Sequence, residues 1–210
     1  IEEYSKALEI YPFKGNEENL FKNAAEFLFK CNYNMAACFS YLDDFDQAIA
    51  YFDRSLAVQS AEDENKVRAF MGKGSVYYRK KMFVDGRYKA GAYRISMDSD
   101  YEVSDEKVEE YKKEDHKKNF IKMAHECFTN AAELDRNHVE AWYNKGHMEF
   151  LMGKIKEAVQ SFDNVININK NFDNKEGISL FDEIKVEKGI QVRASEIMER
   201  MESSEPAYKT

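Results

Sequence analysis

The feature that most constrains this chain is an interval. Between Val139 and Phe172, in VEAWYNKGHMEFLMGKIKEAVQSFDNVININKNF, the residues Trp142, Gly146 and Phe150 fall on one helical face, Gly153 offers a break, and Ala158, Phe162 and Val165 line a face of a second helix. Small residues at Gly146 and Ala158 let two such helices approach closely, while Trp142 and Phe162 fill the space on either side. A pair this small cannot bury both of its faces alone, so neighbours of the same kind are expected along the chain.

They are present. Asn32, Met35, Ala36 and Phe39 take the places of Trp142, Lys145, Gly146 and Glu149, Asp43-Asp44 makes the turn, and Ala48, Phe52 and Ser55 follow as Ala158, Phe162 and Val165 do. The interval from Ala36 to Ala48 equals that from Gly146 to Ala158, which is better evidence than any one residue. A third helix, Val67 to Phe83, carries Phe70, Gly74 and Tyr77. Its partner, with Ala124, Phe128, Ala131 and Leu134, arrives only after roughly 38 extra residues. The first part of that insertion, VDGRYKAGAYRISMDSD, reads as a loop. In the second, Ser104 is a candidate cap and Glu109/Lys113 and Glu114/Lys118 are favourable pairs one turn apart, which predicts one long helix from Asp105 to Arg136 whose first turns project past the repeats as decoration outside the core.

At the start, Ala7 and Tyr11 are spaced as Ala158 and Phe162 are, and Pro12 ends the segment. Residues 1–13 read either as the second helix of a repeat or as a capping helix. Asn16 then caps a helix that runs to about Leu42. After Phe172 the apolar stripes Ile178, Phe181, Ile184 and Ile190, Ala194, Ile197, Met201 change phase near Gly189, as expected of a terminal helical cap over 173–203.

Together, the Trp142, Gly146, Ala158 and Phe162 matches resemble the tetratricopeptide repeat, with its W-x2-L-G-x2-Y, A-x3-F and P positions over about 34 residues. Lys145, Glu149 and Lys170 stand where that pattern has Leu, Tyr and Pro. The resemblance implies an all-α fold, a right-handed superhelical solenoid of helix-turn-helix repeats with terminal caps and one long insertion. It sets out residues 1–210 as one domain with repeats at 29–62, 67–138 (insertion about 84–115) and 139–172. Only 2 Pro and 9 Gly punctuate the chain, in keeping with long helices, and 33% charged residues suit their solvated faces.

Composition excludes other classes. A net charge of -8 argues against a nucleic-acid partner, which needs a concentrated basic surface. No apolar run approaches the roughly 18 residues of a membrane span. Cys31, Cys38 and Cys127 form neither a disulfide framework nor a zinc site and point to a reducing, cytoplasmic setting. His116, His125, His138 and His147 lack the pairing of a metal site, no Gly-rich phosphate loop occurs, and Cys127 follows His125 too closely for a nucleophile and base on one helix face. No catalytic residue, metal or cofactor is expected.

By resemblance, the first helices of the repeats line a concave groove that holds a peptide or partner segment. That assigns to the groove Lys30, Tyr33 and Asn34, then Arg68, Ser75, Tyr78 and Arg79, then Tyr143, Asn144, His147 and Phe150. Members of the family that receive chaperone C-terminal tails carry Asn and Lys or Arg at places that Asn34 and Arg68 match, whereas Gly72 stands where a further Arg belongs. A co-chaperone-like tail receptor and a fragment of a longer self-associating structural array are therefore the alternative readings, with the oligomeric state open.

Overall fold

Helix starts and stops in this protein follow the local chemistry of the chain. The computed structural model describes Lys6 and residues 17–58, 61–87 and 105–173, and every element among them is a helix. These are α1 (Glu17–Tyr41), α2 (Phe45–Leu56), α3 (Asp63–Val84), α4 (Asp105–Lys118), α5 (Phe120–Leu134), α6 (Val139–Leu151) and α7 (Ile155–Asp173). The readings for residues 1–13 and from 174 onward, and the loop at 88–104, fall outside the described residues. The chain divides into two compact units, residues 1–127 and 128–210, each of which is described by itself.

In the first unit α1 and α2 form a hairpin. Asp43 takes a left-handed backbone, φ 57°, and the Asp44 carboxylate caps α2 by accepting from the Gln47 amide at 3.2 Å. Phe29, Ala36, Phe45, Ala48 and Phe52 are buried, joined from α3 by Ala69 and Val76. At Gly72 the Phe52 ring comes so close that an added Cβ would lie 2.4 Å from it, so α3 can pack on α2 only with no side chain at that position. Helix α3 begins a turn before the expected Val67, with Asp63 and Glu64 at its positive end.

The expected single helix from Asp105 to Arg136 is corrected. Asn119, at φ 56°, breaks it in two. Its amide donates to the Asp115 carbonyl, the Phe120 amide donates to Asp115 Oδ1 at 2.7 Å, and Asn119 Oδ1 accepts from the Lys122 amide at 3.1 Å, so one helix ends and the next is capped within a residue. The same break overturns the expectation that the first turns project as decoration. Tyr111 of α4 is 3% exposed, its ring 6.1 Å from that of Phe45 and 6.2 Å from that of Phe83. A helix that supplies a buried ring is part of the core.

In the second unit α6 and α7 form the other hairpin. His138 Nδ1 accepts from the Ala141 amide to cap α6, and Gly153, φ +74°, makes the turn. Val139, Ala158, Phe162 and Val165 are the buried core, with Trp142, Tyr143, Val159 and Ile168 packed around them.

Candidate functional site

The assigned groove residues occupy the same helical stripe in each hairpin. On α1, Lys30 is exposed and paired with Glu26 at 2.5 Å; Tyr33 and Asn34 are half-buried. The Tyr33 ring stacks on Phe29 (6.1 Å), meets Phe52 edge-on (5.8 Å) and carries the Arg68 guanidinium of α3 at 5.2 Å. Arg68 and Ser75 are exposed, with the Ser75 hydroxyl donating to the Met71 carbonyl at 2.9 Å, and Tyr78 is half-buried. Arg79 differs from the rest. Its guanidinium donates to the carbonyl and hydroxyl of Ser40 and lies 3.8 Å from the Asp43 carboxylate, so it fastens α3 to the α1–α2 turn.

On α6, Tyr143 and Asn144 are half-buried and Phe150 is exposed. The Tyr143 ring lies 5.9 Å from Phe162 and 6.4 Å from His147, so one edge belongs to the core. Burial pushes the His147 pKa below its usual range, which leaves a neutral imidazole at neutral pH. Asn34 and Asn144 hold the same repeat position next to a tyrosine, and among the described residues neither side-chain amide has a hydrogen-bond partner.

Two clusters escaped sequence reading. In the second hairpin Lys145, Glu149 and Ser161 form a closed triad: Lys145 Nζ donates to Glu149 Oε1 (2.7 Å) and Ser161 Oγ (2.9 Å), and Ser161 Oγ donates to Glu149 Oε2 (2.6 Å). The departures from Leu and Tyr are thus one compensated exchange, since a buried carboxylate is tolerated only with its hydrogen bonds supplied. In the first unit Lys80, with 0% exposure, donates to Asp46 at 2.8 Å and to Glu114, and stands over the Tyr111 and Phe120 rings at 4.1 and 4.8 Å. Burial alone would raise the Asp46 and Glu114 pKa values, but hydrogen bonds from Lys80, with Lys107 on Asp46 and Lys118 on Glu114, hold both below the usual carboxylate range. Lys81 adds a link to Asp115 at 3.0 Å. A charged Lys80 inside a helical stripe was the one available signal.

Burial pushes the Cys127 thiol up to about 12, which makes it inert as a nucleophile. Among the described residues no three His, Cys, Asp or Glu side chains converge to hold a metal ion, and no helix is long and apolar enough to cross a membrane.

The family comparisons agree with this geometry. Tetratricopeptide repeat models match residues 29–62 and 139–172, which are the two hairpins. A search of curated proteins finds no match. Among solved structures the chain aligns with a crystal structure of MamA at 13% identity, covering 96% of this chain and 88% of that one with a TM-score of 0.45. It also aligns with YrrB, described as a TPR protein with an unusual peptide-binding site, at 20% identity, 98% and 93% coverage and a TM-score of 0.28. Repeats of this kind are protein-interaction elements and generally non-catalytic. With both hairpins matched in sequence and folded as paired helices, the chain carries tetratricopeptide repeats at residues 29–62 and 139–172.

Proposed function

We propose that the stripe on α1 and α3 and its counterpart on α6 are each a seat for an extended or helical peptide of acidic or C-terminal character, so that the protein serves as a cytoplasmic interaction scaffold. The observation that carries this reading is the repeated Tyr-Asn pair. Tyr33-Asn34 and Tyr143-Asn144 each present a flat ring beside an amide with no partner among the described residues, which suits a side chain and a peptide backbone together. Arg68 supplies the charge: it is exposed, sits on the Tyr33 ring and has no carboxylate partner among the described residues. Gly72 limits the tail-receptor alternative, because the Phe52 ring occupies the space that a longer side chain there would need.

A labelled Asp/Glu-rich peptide with a free C-terminus, titrated by fluorescence anisotropy, tests the reading. Binding is expected at micromolar concentration and weakens as salt rises. Arg68→Glu and Tyr143→Ala each reduce affinity, and Arg68→Glu leaves the melting temperature nearly unchanged. Equal binding by parent and both variants would show that the stripe is not the site.

A further inference from the structure

At the turn of the first hairpin α4 packs on Phe45 while Tyr41 across the turn stays exposed, and that packing on Phe45 specifies a partner for the second hairpin. Phe45, first residue of α2, has 0% exposure, packed by Phe83 and Arg79 of α3 and by Tyr111 of α4, whose ring centroid lies 6.1 Å away. Beside it, Asp46 receives Lys107 Nζ at 2.9 Å and the Tyr111 hydroxyl at 3.3 Å. Lys107 and Tyr111 lie one turn apart on α4, so a single helix face brings both a cation and a ring to this corner.

In the second hairpin the corresponding residues are Ile155 and Lys156. The apolar residue is kept and the charge is inverted. Ile155 is 38% exposed, and Leu151, just across the turn, is 42% exposed. Lys154 and Lys156 flank Ile155, both exposed and without an ion pair among the described residues, and Glu157 follows them. An apolar corner between two unpaired cations is complementary to a surface carrying an apolar residue among carboxylates.

We infer that the α6–α7 turn end is a docking seat for a helix of a partner protein. That helix presents a carboxylate where α4 has Lys107, to meet Lys156, and one turn later an aromatic or large aliphatic residue that covers Ile155, as Tyr111 covers Phe45. The seat is separate from the Tyr-Asn stripe and does not depend on it. Because its contacts are few and rim-exposed, binding is weak by itself and adds to another contact through avidity.

The test uses two 14-residue peptides with the α4 sequence, residues 105–118, each locked as a helix by a lactam between Glu109 and Lys113 on the outward face. One keeps Lys107 and the other carries Lys107→Glu. They are titrated into the isotope-labelled full chain and followed by amide NMR shifts. The Glu-bearing peptide is expected to shift residues 151–157 and to bind about tenfold more tightly than the Lys-bearing one, a difference of about 1.4 kcal/mol. Lys156→Asp inverts that order, and Ile155→Asp weakens the Glu-bearing peptide by about tenfold or more. Arg68→Glu leaves both titrations unchanged, which separates this seat from the stripe. Equal binding of the two peptides, shifts confined to Phe45 and Asp46, no shift at 151–157, or a Lys156→Asp variant that keeps the parent's preference would each overturn the proposal.

Discussion

The hairpins α1–α2 and α6–α7 share a repeat pattern and differ in what joins their helices. In the first, Phe39 and Tyr51 stack at 5.3 Å. In the second the same positions are Glu149 and Ser161, bonded at 2.6 Å and completed by Lys145 where the first has Met35. The polar version is the more deeply buried, with Glu149 at 3% and Ser161 at 1% exposure. Positions across a helix pair therefore change together: a ring needs another ring or open volume, whereas a buried carboxylate needs donors from both helices. The turn behaves alike in both, since Asp43 and Gly153 take the same left-handed backbone.

The largest expected effects test whether the two cores are equivalent. Phe52→Ala and Phe162→Ala each remove a ring at the centre of a hairpin, with exposures of 2% and 0%. Each should cost about 3–5 kcal/mol in chemical denaturation. Trp142 is only half-buried, its indole N–H donating to the Arg136 carbonyl at 2.9 Å and its face shared with Lys145, so Trp142→Ala should cost less, about 1–3 kcal/mol. A Trp142 loss as large as that of Phe162 would break this ranking.

The exchange itself can be tested by substitution. Glu149→Phe alone leaves Lys145 without its carboxylate and places a ring against Ser161, with an expected loss of about 2–4 kcal/mol. Adding Lys145→Met and Ser161→Tyr imports the first hairpin's chemistry and should recover most of that loss. If the triple variant is no more stable than the single one, the two hairpins are not interchangeable at these positions.

Acid should separate the two hairpins by pH window. Burial holds His147 below the ordinary imidazole value of 6.5, so the unfolded chain takes up the proton first and this contribution declines as pH falls below about 6.5. Asp46 and Glu114 are depressed from 3.8 and 4.5, so their contribution is intact above those values and is lost only below about pH 4, as pH falls through the folded values. Amide exchange followed from pH 7 to 3 should therefore show α6 and α7 losing protection before α4. The reverse order would contradict the assignment, and His147→Gln should remove the early step.

The smallest effect is at Gly146. A Cβ there would lie 3.0 Å from the Phe162 ring, yet Ala36 occupies the same place against Phe52 in the first hairpin. Helix propensity favours Ala by about 1 kcal/mol, so Gly146→Ala should leave stability within about 1 kcal/mol of the parent. A larger loss would mean that the α6–α7 pair is packed more tightly than α1–α2.

Much of the fold was readable because its signals are local or periodic. Ala48, Phe52, Ala158 and Phe162 are buried as their spacing implies, and the Asp43-Asp44 turn lies where helical periodicity stops. The candidate site was legible as a stripe but not as chemistry. Helical spacing places Arg79 on the same face as Arg68, and only the position of Ser40 on another helix distinguishes a cation fastened to a turn from one offered to a partner. The charge pattern of residues 105–118 reads as a solvated helix, and its buried face comes to light only once Lys80, Asp46 and Phe45 are found opposite it.

From sequence alone came the helical class, the two repeats and the small residues Gly146, Ala48 and Ala158 in the hairpin cores, because each depends on spacing within a few turns of chain, whereas the contact of Gly72 with Phe52 did not. Tertiary structure alone decided that Lys145 and Glu149 are partners of Ser161, that Lys80 is a buried cation, and that Asn119 turns the chain so that Tyr111 enters a core. Those outcomes depend on groups distant in sequence. A charged side chain at a helical position is compatible with water or with the interior, and the choice rests on whether folding brings it an opposite charge or a hydrogen bond to replace the water it leaves.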